Sequence, residues 1–255
     1  MSRIVLTAAS RVGNVRSNNE DMILAYDKFV RSDAYFTEFM SENSDRFVVA
    51  LADGMGGHQA GEVASEVTLR NLKFYVDDMP RGLSSGEFNE MMYVWLESIN
   101  HTINARGHSN PHQREMGTTL VAVIYYNERY YWLNCGDSRL YRLRDGKLKQ
   151  LTTDHSLNTM TGQTKHSNVL TNCIGAGCKN SYIDLFEFTN DILSGDVYLI
   201  CSDGLSDMIT HDIIEHMLNE HCTANALCEA AIEAGGFDNV SACVFSIESE
   251  ERNNA

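Results

Sequence analysis

Proline is nearly missing from this chain. Only Pro80 and Pro111 occur among 255 residues, which excludes a proline-rich stalk or linker. Positive charge is also scarce: 20 Lys and Arg stand against 35 Asp and Glu, a formal net charge of −15. A surface of that sign repels nucleic-acid phosphate, so no nucleic-acid partner is expected. No run reaches the ~20 apolar residues of a membrane helix, and the opening MSRIVLTAASRVGN lacks a long apolar stretch. Neither a membrane span nor a signal peptide is expected, and a cytoplasmic location follows as the expectation. The seven cysteines are odd in number and form no C-x-x-C pair, so neither a disulfide framework nor a zinc site is indicated. Cys135, Cys201 and Cys243 sit in apolar, strand-like runs where a reduced thiol packs as a small hydrophobe.

The composition that remains, 43% hydrophobic and 22% charged, is that of an ordinary globular protein. Short β-branched or aromatic runs bounded by Gly, Asp or Asn predict strands over 3–9, 22–29, 46–52, 119–126, 129–135, 139–144, 197–201 and 240–247, with a further one over 182–188. Asp145-Gly146 reads as a tight hairpin turn after the sixth of these. Helical periodicity predicts one long helix over 62–77 and another over 85–105, the second begun by a capping pattern at Ser84 and Glu87. Two shorter helices are expected over 212–219 and 224–234, the latter stopped by Gly235-Gly236. Residues 31–45 read as an exposed insertion and 248–255 as a frayed tail. Trp95, Met91 and Met92 fall at helical spacing and read as core. The interleaving of helix and strand leaves no cut point, so one domain over 1–255 is expected, with its core over about 3–247.

Four acidic motifs lie at predicted strand ends. Asn18-Asn19-Glu20-Asp21 precedes a strand; Asp53-Gly54 and Ser202-Asp203-Gly204 each end one; Asp238-Asn239 opens the last. Each alone is ordinary turn chemistry. Together they can bring carboxylates to one edge of a sheet, where unpaired like charges repel and raise one another's pKa unless a cation sits among them. A site built of oxygen ligands alone favours Mg²⁺ or Mn²⁺ over Zn²⁺.

Seven motifs then stand in a recognisable order: Arg16-x-x-Asn19-Glu20-Asp21, Asp53-Gly-Met-Gly-Gly-His58, Gly117-Thr-Thr, Asn134-Cys-Gly-Asp137-Ser-Arg139, Asp154-His-Ser, Ser202-Asp203-Gly204 and Asp238-Asn239-Val240. The set resembles the metal-dependent protein phosphatases, the PPM family of type-2C Ser/Thr phosphatases, and the Gly-Met-Gly-Gly-His form resembles its bacterial branch. The resemblance runs from about residue 11 to 247. It implies an α+β fold, a four-layer αββα sandwich in which two antiparallel β-sheets are flanked by helix pairs. It implies two Mg²⁺ or Mn²⁺ ions per site, with Asp53 bridging them and the Gly54 carbonyl on one. Asp203 and Asp238 would ligate the other, Glu20 would act through a water with Asp21 beside it, and Asp137 with Asp203 matches a third, weaker position. Arg16 matches the arginine that grips the substrate phosphate.

The implied activity is hydrolysis of phosphoserine and phosphothreonine in proteins by direct attack of a metal-bridging water. A pseudophosphatase or regulatory binding module on the same fold is the alternative. A cognate Ser/Thr kinase and a monomeric state are the expected partner relations. In some relatives a His directly follows the metal Asp-Gly, but Met55 occupies that place here. His58, three residues further, is the candidate to serve the leaving group or orient a water. Asp154-His155-Ser156 reads as a turn at the cleft rim, and Gly117 as a strand start under a close backbone approach. Only residues 157–167 fill the place of the family's flap, so a short loop and an open cleft are expected.

Overall fold

The computed structural model describes residues 2–41, 45–56, 60–162 and 169–249. Its first half runs β1 (Ser2–Arg11), β2 (Met22–Ala25), β3 (Lys28–Val30), β4 (Ala34–Met40), β5 (Arg46–Ala52), β6 (Gly54–Met55), α1 (Ala60–Asp77) and α2 (Ser85–Ser109). Then come β7 (Gly117–Thr118), β8 (Leu120–Tyr126), β9 (Arg129–Cys135), β10 (Arg139–Arg144), β11 (Lys147–Gln150) and α3 (Leu157–Thr161). The chain closes with β12 (Ile174–Gly175), β13 (Asp184–Glu187), β14 (Val197–Cys201), α4 (Asp203–Ser206), α5 (His211–Asn219), α6 (Ala224–Glu233) and β15 (Val240–Ser249).

The period-2 alternation of the strands sorts their side chains into layers. Along β5, Val48, Ala50 and Ala52 pack with α1 and α2, among Leu69, Leu72, Trp95 and Leu96. Phe47, Val49 and Leu51 point the other way, into a core shared with Ile4, Leu6, Ile200 and Cys243 of the facing sheet. On β14, Tyr198 and Ile200 join that inter-sheet core, whereas Leu199 and Cys201 meet Ile214, Leu227 and Cys228 of α5 and α6. Three cores therefore separate four layers, helix–sheet–sheet–helix, as the resemblance implied. One sheet has the order β11-β10-β14-β15-β1-β4 and the other β13-β9-β8-β5-β2-β3, with a small β12-β7-β6 sheet at one end. All pairings are antiparallel.

Three expectations need correcting. The strand expected over 22–29 is a hairpin, broken where Tyr26 takes φ 61° and followed by β3. Residues 31–45 are not a plain insertion, because β4 adds to the edge of β1 with Arg3 opposite Met40; its polar, half-exposed pattern is that of an edge strand, not of a loop. The flap segment is not wholly loop: α3 forms a single turn capped by Ser156, whose Oγ accepts from Thr159 N–H. Its residues 163–168 lie outside the described set, as do 250–255 of the expected tail. Glu248 itself is paired within β15, opposite Arg3.

The Asp145-Gly146 turn forms as expected, both residues having positive φ, 50° and 74°, with Arg144 opposite Lys147. Trp95 and Met92 are buried. Among the described residues all seven cysteines are free thiols. At the start of α2 the Ser84 hydroxyl caps Glu87 N–H while the Glu87 carboxylate accepts Ser84 N–H at 2.8 Å. Ser84→Ala is expected to lower stability by about 1 kcal/mol, read as a urea midpoint shift with an unchanged slope; an unaltered midpoint would show that packing alone fixes the helix start.

Candidate active site at one end of the sandwich

The acidic motifs all fall at the same end of the two sheets. Asp53 follows β5, and Glu20-Asp21 enter the neighbouring β2, since Met22 pairs with Ala52. Asp203 follows β14 and Asp238 precedes β15, with Cys201 opposite Ala242. Asp137 sits in the connection that carries the chain from β9 in one sheet to β10 in the other. Antiparallel neighbours of alternating direction put a strand end of one beside a strand start of the next, so residues remote in sequence meet there.

The backbone around these carboxylates is tightly fixed. Asp53 N–H donates to Thr119 Oγ1 at 3.1 Å, while the Asp53 carbonyl accepts from Thr119 N–H at 2.9 Å and Thr118 Oγ1 at 2.8 Å. A Cβ on Gly54 would stand 2.1 Å from the Gly61 carbonyl and 2.7 Å from that of Glu20, so only glycine permits α1 to approach. Ser65 Oγ donates to the same Glu20 carbonyl at 2.5 Å. Asn239 joins three segments: its Oδ1 accepts from Glu20 N–H at 2.8 Å and its Nδ2 donates to the Val12 and Asn18 carbonyls, both at 2.9 Å. Beneath the acids lies a buried polar seam. Asn19 Nδ2 and Ser241 Oγ both donate to Ser10 Oγ, at 2.7 and 2.8 Å, and Ser202 Oγ donates to Asp21 Oδ2 at 2.9 Å. Sequence reading passed over Ser10 and Ser241, and placed Ser202 only within the Ser202-Asp203-Gly204 motif. The available signal was a small polar residue where an apolar one was due, Ser10 falling opposite Ser241 in the β1–β15 ladder.

Electrostatics show the convergence most directly. Burial, and then the charges of Asp21, Asp203, Asp137 and Asp238, push the Asp53 carboxyl well above the usual carboxylate range. Burial followed by Asp203 and Asp238 pushes Asp21 up to about 7. Burial followed by Asp203 and Asp154 pushes Asp137 up to about 7. Burial and Asp238 push Asp203 up to about 6, against a hydrogen bond from Asp53 that favours its ionised form. Glu20 is raised as well, chiefly by burial. Arg16, half exposed, places Nη2 2.6 Å from Asp238 Oδ2.

Among the described residues, no three acidic, histidine or cysteine side chains stand in a ligating array around one point. Asp238 is turned to Arg16, and Asp53, Asp203 and Asp21 stand close enough to raise one another's pKa. The donor set nevertheless fits hard divalent ions. It is made of carboxylate and carbonyl oxygens, its charges are buried beyond what their neighbours neutralise, and the buried Asp21 Oδ1 has no hydrogen-bond partner. Asp53, Asp203, Asp238, Glu20 and the Gly54 carbonyl, with Asp21 and Asp137 beside them, are the groups that could hold such ions. His58 lies outside the described residues.

The expected rim turn at Asp154-His155-Ser156 has a firmer structure than a turn. Asp154 is bound by the Arg139 fork, through Nε at 3.0 Å and Nη2 at 2.7 Å, and His155 is buried. Gly117 does sit under a close approach, a Cβ there meeting Ala176 Cβ at 2.7 Å.

A pH dependence follows for the metal-stripped protein. A carboxyl whose folded pKa exceeds its ordinary value near 3.8 keeps a proton that the unfolded chain has released, so the folded state binds more protons between about 4 and 7. Its contribution to stability is complete below about pH 4 and is lost as pH rises through 7. In EDTA, Asp21→Asn is therefore expected to gain stability relative to wild type as pH goes from 5 to 7.5, by order of 2–4 kcal/mol. Thermal melts of the two proteins across that range check it; parallel curves would mean that Asp21 is not held protonated.

The sequence comparisons agree with this site. A family model described as protein phosphatase 2C matches residues 25–231. The serine/threonine protein phosphatase PstP of Mycobacterium tuberculosis is 32% identical over 261 residues, taking in 97% of this chain and 46% of that protein. The chain thus spans about half the length of that curated relative. A solved S. agalactiae serine/threonine phosphatase superposes with a TM-score of 0.80 at 29% identity, covering 96% of this chain and 100% of the other. The catalytic domain of PstP, solved in complex with two manganese ions, gives a TM-score of 0.73 at 30% identity over 98% of this chain and 100% of that one. With the motifs in order, the four layers formed and the acids gathered at one end, the chain belongs to the protein phosphatase 2C family.

Proposed function

We propose that this chain is an active Mg²⁺- or Mn²⁺-dependent phosphatase of phosphoserine and phosphothreonine in proteins, its residues 1–255 forming one catalytic domain. The observation that carries this reading is the meeting of Asp53, Asp21, Asp203, Asp137 and Asp238 at one end of the sandwich, close enough for the others to raise the Asp53 carboxyl, beside the half-exposed Arg16 that bonds Asp238. A pseudophosphatase has no use for so many mutually repelling acids, each raising the others' pKa in the folded state. When bound, two divalent ions supply Lewis acidity toward phosphoryl oxygens and a water acidic enough to attack phosphorus at neutral pH.

The chain's own residues do the rest. Asp53, Asp203 and Asp238 are the ligands, with Glu20 and the Gly54 carbonyl. The strand ends fix their spacing, so little reorganisation is needed when substrate arrives. Asp238, once engaged as a ligand, leaves the Arg16 fork to hold two phosphate oxygens in plane, a geometry that lysine cannot copy. Asp137 and Asp203 form the weaker position for a third ion. With Met55 after Asp53-Gly54, the proton for the leaving alkoxide comes from His58 or from solvent water. The free thiols take no part: none sits in a Cys-x5-Arg frame.

The phosphoprotein chemistry implies an opposing Ser/Thr kinase as functional partner, and we read the enzyme as a cytoplasmic monomer. Among the described residues no helix is long and apolar enough to cross a membrane. The test is release of phosphate from a phosphothreonine peptide and from p-nitrophenyl phosphate, with Mn²⁺, with EDTA and with Asp203→Ala. Turnover of the peptide that needs Mn²⁺ and vanishes in EDTA and in Asp203→Ala is the expected result. Turnover indifferent to EDTA overturns the metal dependence, turnover of the small ester alone overturns the protein substrate, and none under any condition favours the binding-module alternative.

A further inference from the structure

His155 is 6% exposed and holds Gly136, the residue before Asp137. Gly136 N–H donates to His155 Nδ1 at 3.1 Å, and His155 N–H donates to the Gly136 carbonyl at 2.9 Å. One residue thus holds both polar groups of Gly136, whose φ of 121° is open to glycine alone and whose absent Cβ would meet Thr119 Cβ at 2.7 Å. Asp137 is the next residue, and Ser138 Oγ lies 2.7 Å from Thr119 Oγ1, the hydroxyl that also accepts Asp53 N–H.

The ring's tautomer is set by its surroundings. Tyr182 N–H donates to Asn172 Oδ1 at 3.1 Å, and Asn172 Nδ2 donates to the Tyr182 carbonyl at 2.7 Å, which fixes the amide's orientation. The same Nδ2 stands 2.8 Å from His155 Nδ1. With two donors aimed at Nδ1, the ring proton belongs on Nε2, which faces Asp184 Oδ2 at 3.1 Å. Asp184 opens the edge strand β13 and its side chain is 34% exposed. The His155 carbonyl also accepts Thr171 N–H at 2.8 Å, so the same residue reaches the chain that returns from α3.

We propose that His155, oriented by Asp184, is a positioning residue that holds the Gly136–Asp137 turn and thereby sets how firmly Asp137 presents its carboxylate to the third, weakly held cation; this rests on the metal-dependent reading of the site. A carboxylate on a clamped turn gives up less freedom on ligation than one on a loose turn. Outer partners of this kind typically change metal affinity or activity 10–100-fold when removed.

The test compares His155→Ala, His155→Asn and Asp184→Ala with wild type. Asn offers an amide oxygen near the position of Nδ1 and can still accept Gly136 N–H. Asp184→Ala leaves the buried ring in place and removes only its partner. Three readouts are taken: Mn²⁺ binding by calorimetry, hydrogen exchange at the Gly136 amide, and the tautomer by long-range ¹⁵N–¹H NMR. Expected are an Nε2–H tautomer in wild type, a weakest Mn²⁺ affinity reduced about 10–100-fold in His155→Ala with faster Gly136 exchange, a smaller loss in Asp184→Ala, and partial recovery in His155→Asn. The two tighter ions keep their affinity throughout. Wild-type weak-ion affinity in both His155→Ala and Asp184→Ala overturns the proposal. So does an equal loss of all ions in His155→Ala and His155→Asn, which marks a packing role. Asp137→Asn with an unchanged Mn²⁺ response, His155 left intact, refutes instead the assignment of Asp137 on which the proposal stands, and removes the proposal with it.

Discussion

Asp53→Asn is expected to abolish turnover while raising the melting temperature of the metal-stripped protein. The two effects have one cause. Asp53 faces four other aspartates, and desolvation with their charges raises its carboxyl well above the usual range, so that without a cation its ionised form is disfavoured in the folded state. An asparagine amide never ionises. In EDTA at pH 7.5 the substitution removes an electrostatic penalty, and each kcal/mol recovered moves the midpoint by roughly 2–4 °C in a chain of this size. With Mn²⁺ present the substitution would remove a carboxylate proposed to hold the ions. Loss of several kcal/mol of transition-state stabilisation lowers kcat by about 10³-fold or more. Phosphothreonine peptide turnover and thermal melts with and without Mn²⁺ check both halves. A variant less stable than wild type in EDTA would show that Asp53 is structurally favourable, contrary to its placement in a repelling cluster.

The second large effect belongs to Arg16. Its guanidinium bonds Asp238 at 2.6 Å, and in the proposed mechanism it exchanges that carboxylate for the substrate phosphate. Arg16→Ala removes two charge-assisted hydrogen bonds from the bound phosphate, each worth about 1.5–3 kcal/mol, and kcat/KM should fall by about 10²–10⁴-fold. Arg16→Lys keeps the charge without the fork and should fall less, by about 10-fold. Mn²⁺ affinity at Asp238 should rise in Arg16→Ala, because a competitor for that carboxylate is gone. Calorimetry with Mn²⁺ and steady-state kinetics separate these outcomes. Equal kcat/KM in wild type and Arg16→Ala would remove Arg16 from substrate binding.

Much of this site was legible before any coordinates. An apolar run ending in Asp-Gly, found at Asp53 and again at Asp203, announces a carboxylate delivered by a rigid strand, and the order of the seven motifs identified the family. The strands at 46–52, 129–135, 139–144 and 197–201 were readable to the residue because their flanking Asp, Gly and Asn stop the ladder sharply. The failures have equally physical origins. Tyr26 carries a bulky side chain into a left-handed turn that local propensity disfavours, so the β2–β3 hairpin gave no signal. The edge strand β4 has water on much of its surface and lacks the apolar alternation of a buried one.

The roles of His155 and of the serine seam were hidden for a different reason. A buried histidine and a turn histidine have the same letter, and only the arrival of Gly136, Asn172 and Asp184 from three other segments distinguishes them. The sequence by itself determined the family, the oxygen-donor chemistry of its acidic motifs and, through the resemblance, the four-layer fold. Tertiary structure alone decided which acids raise one another's pKa, that Arg16 rests on Asp238, and what holds the Asp137 turn. Those are matters of distance and burial between residues far apart along the chain, and an electrostatic energy depends on where charges sit in space, not on their order in a sequence.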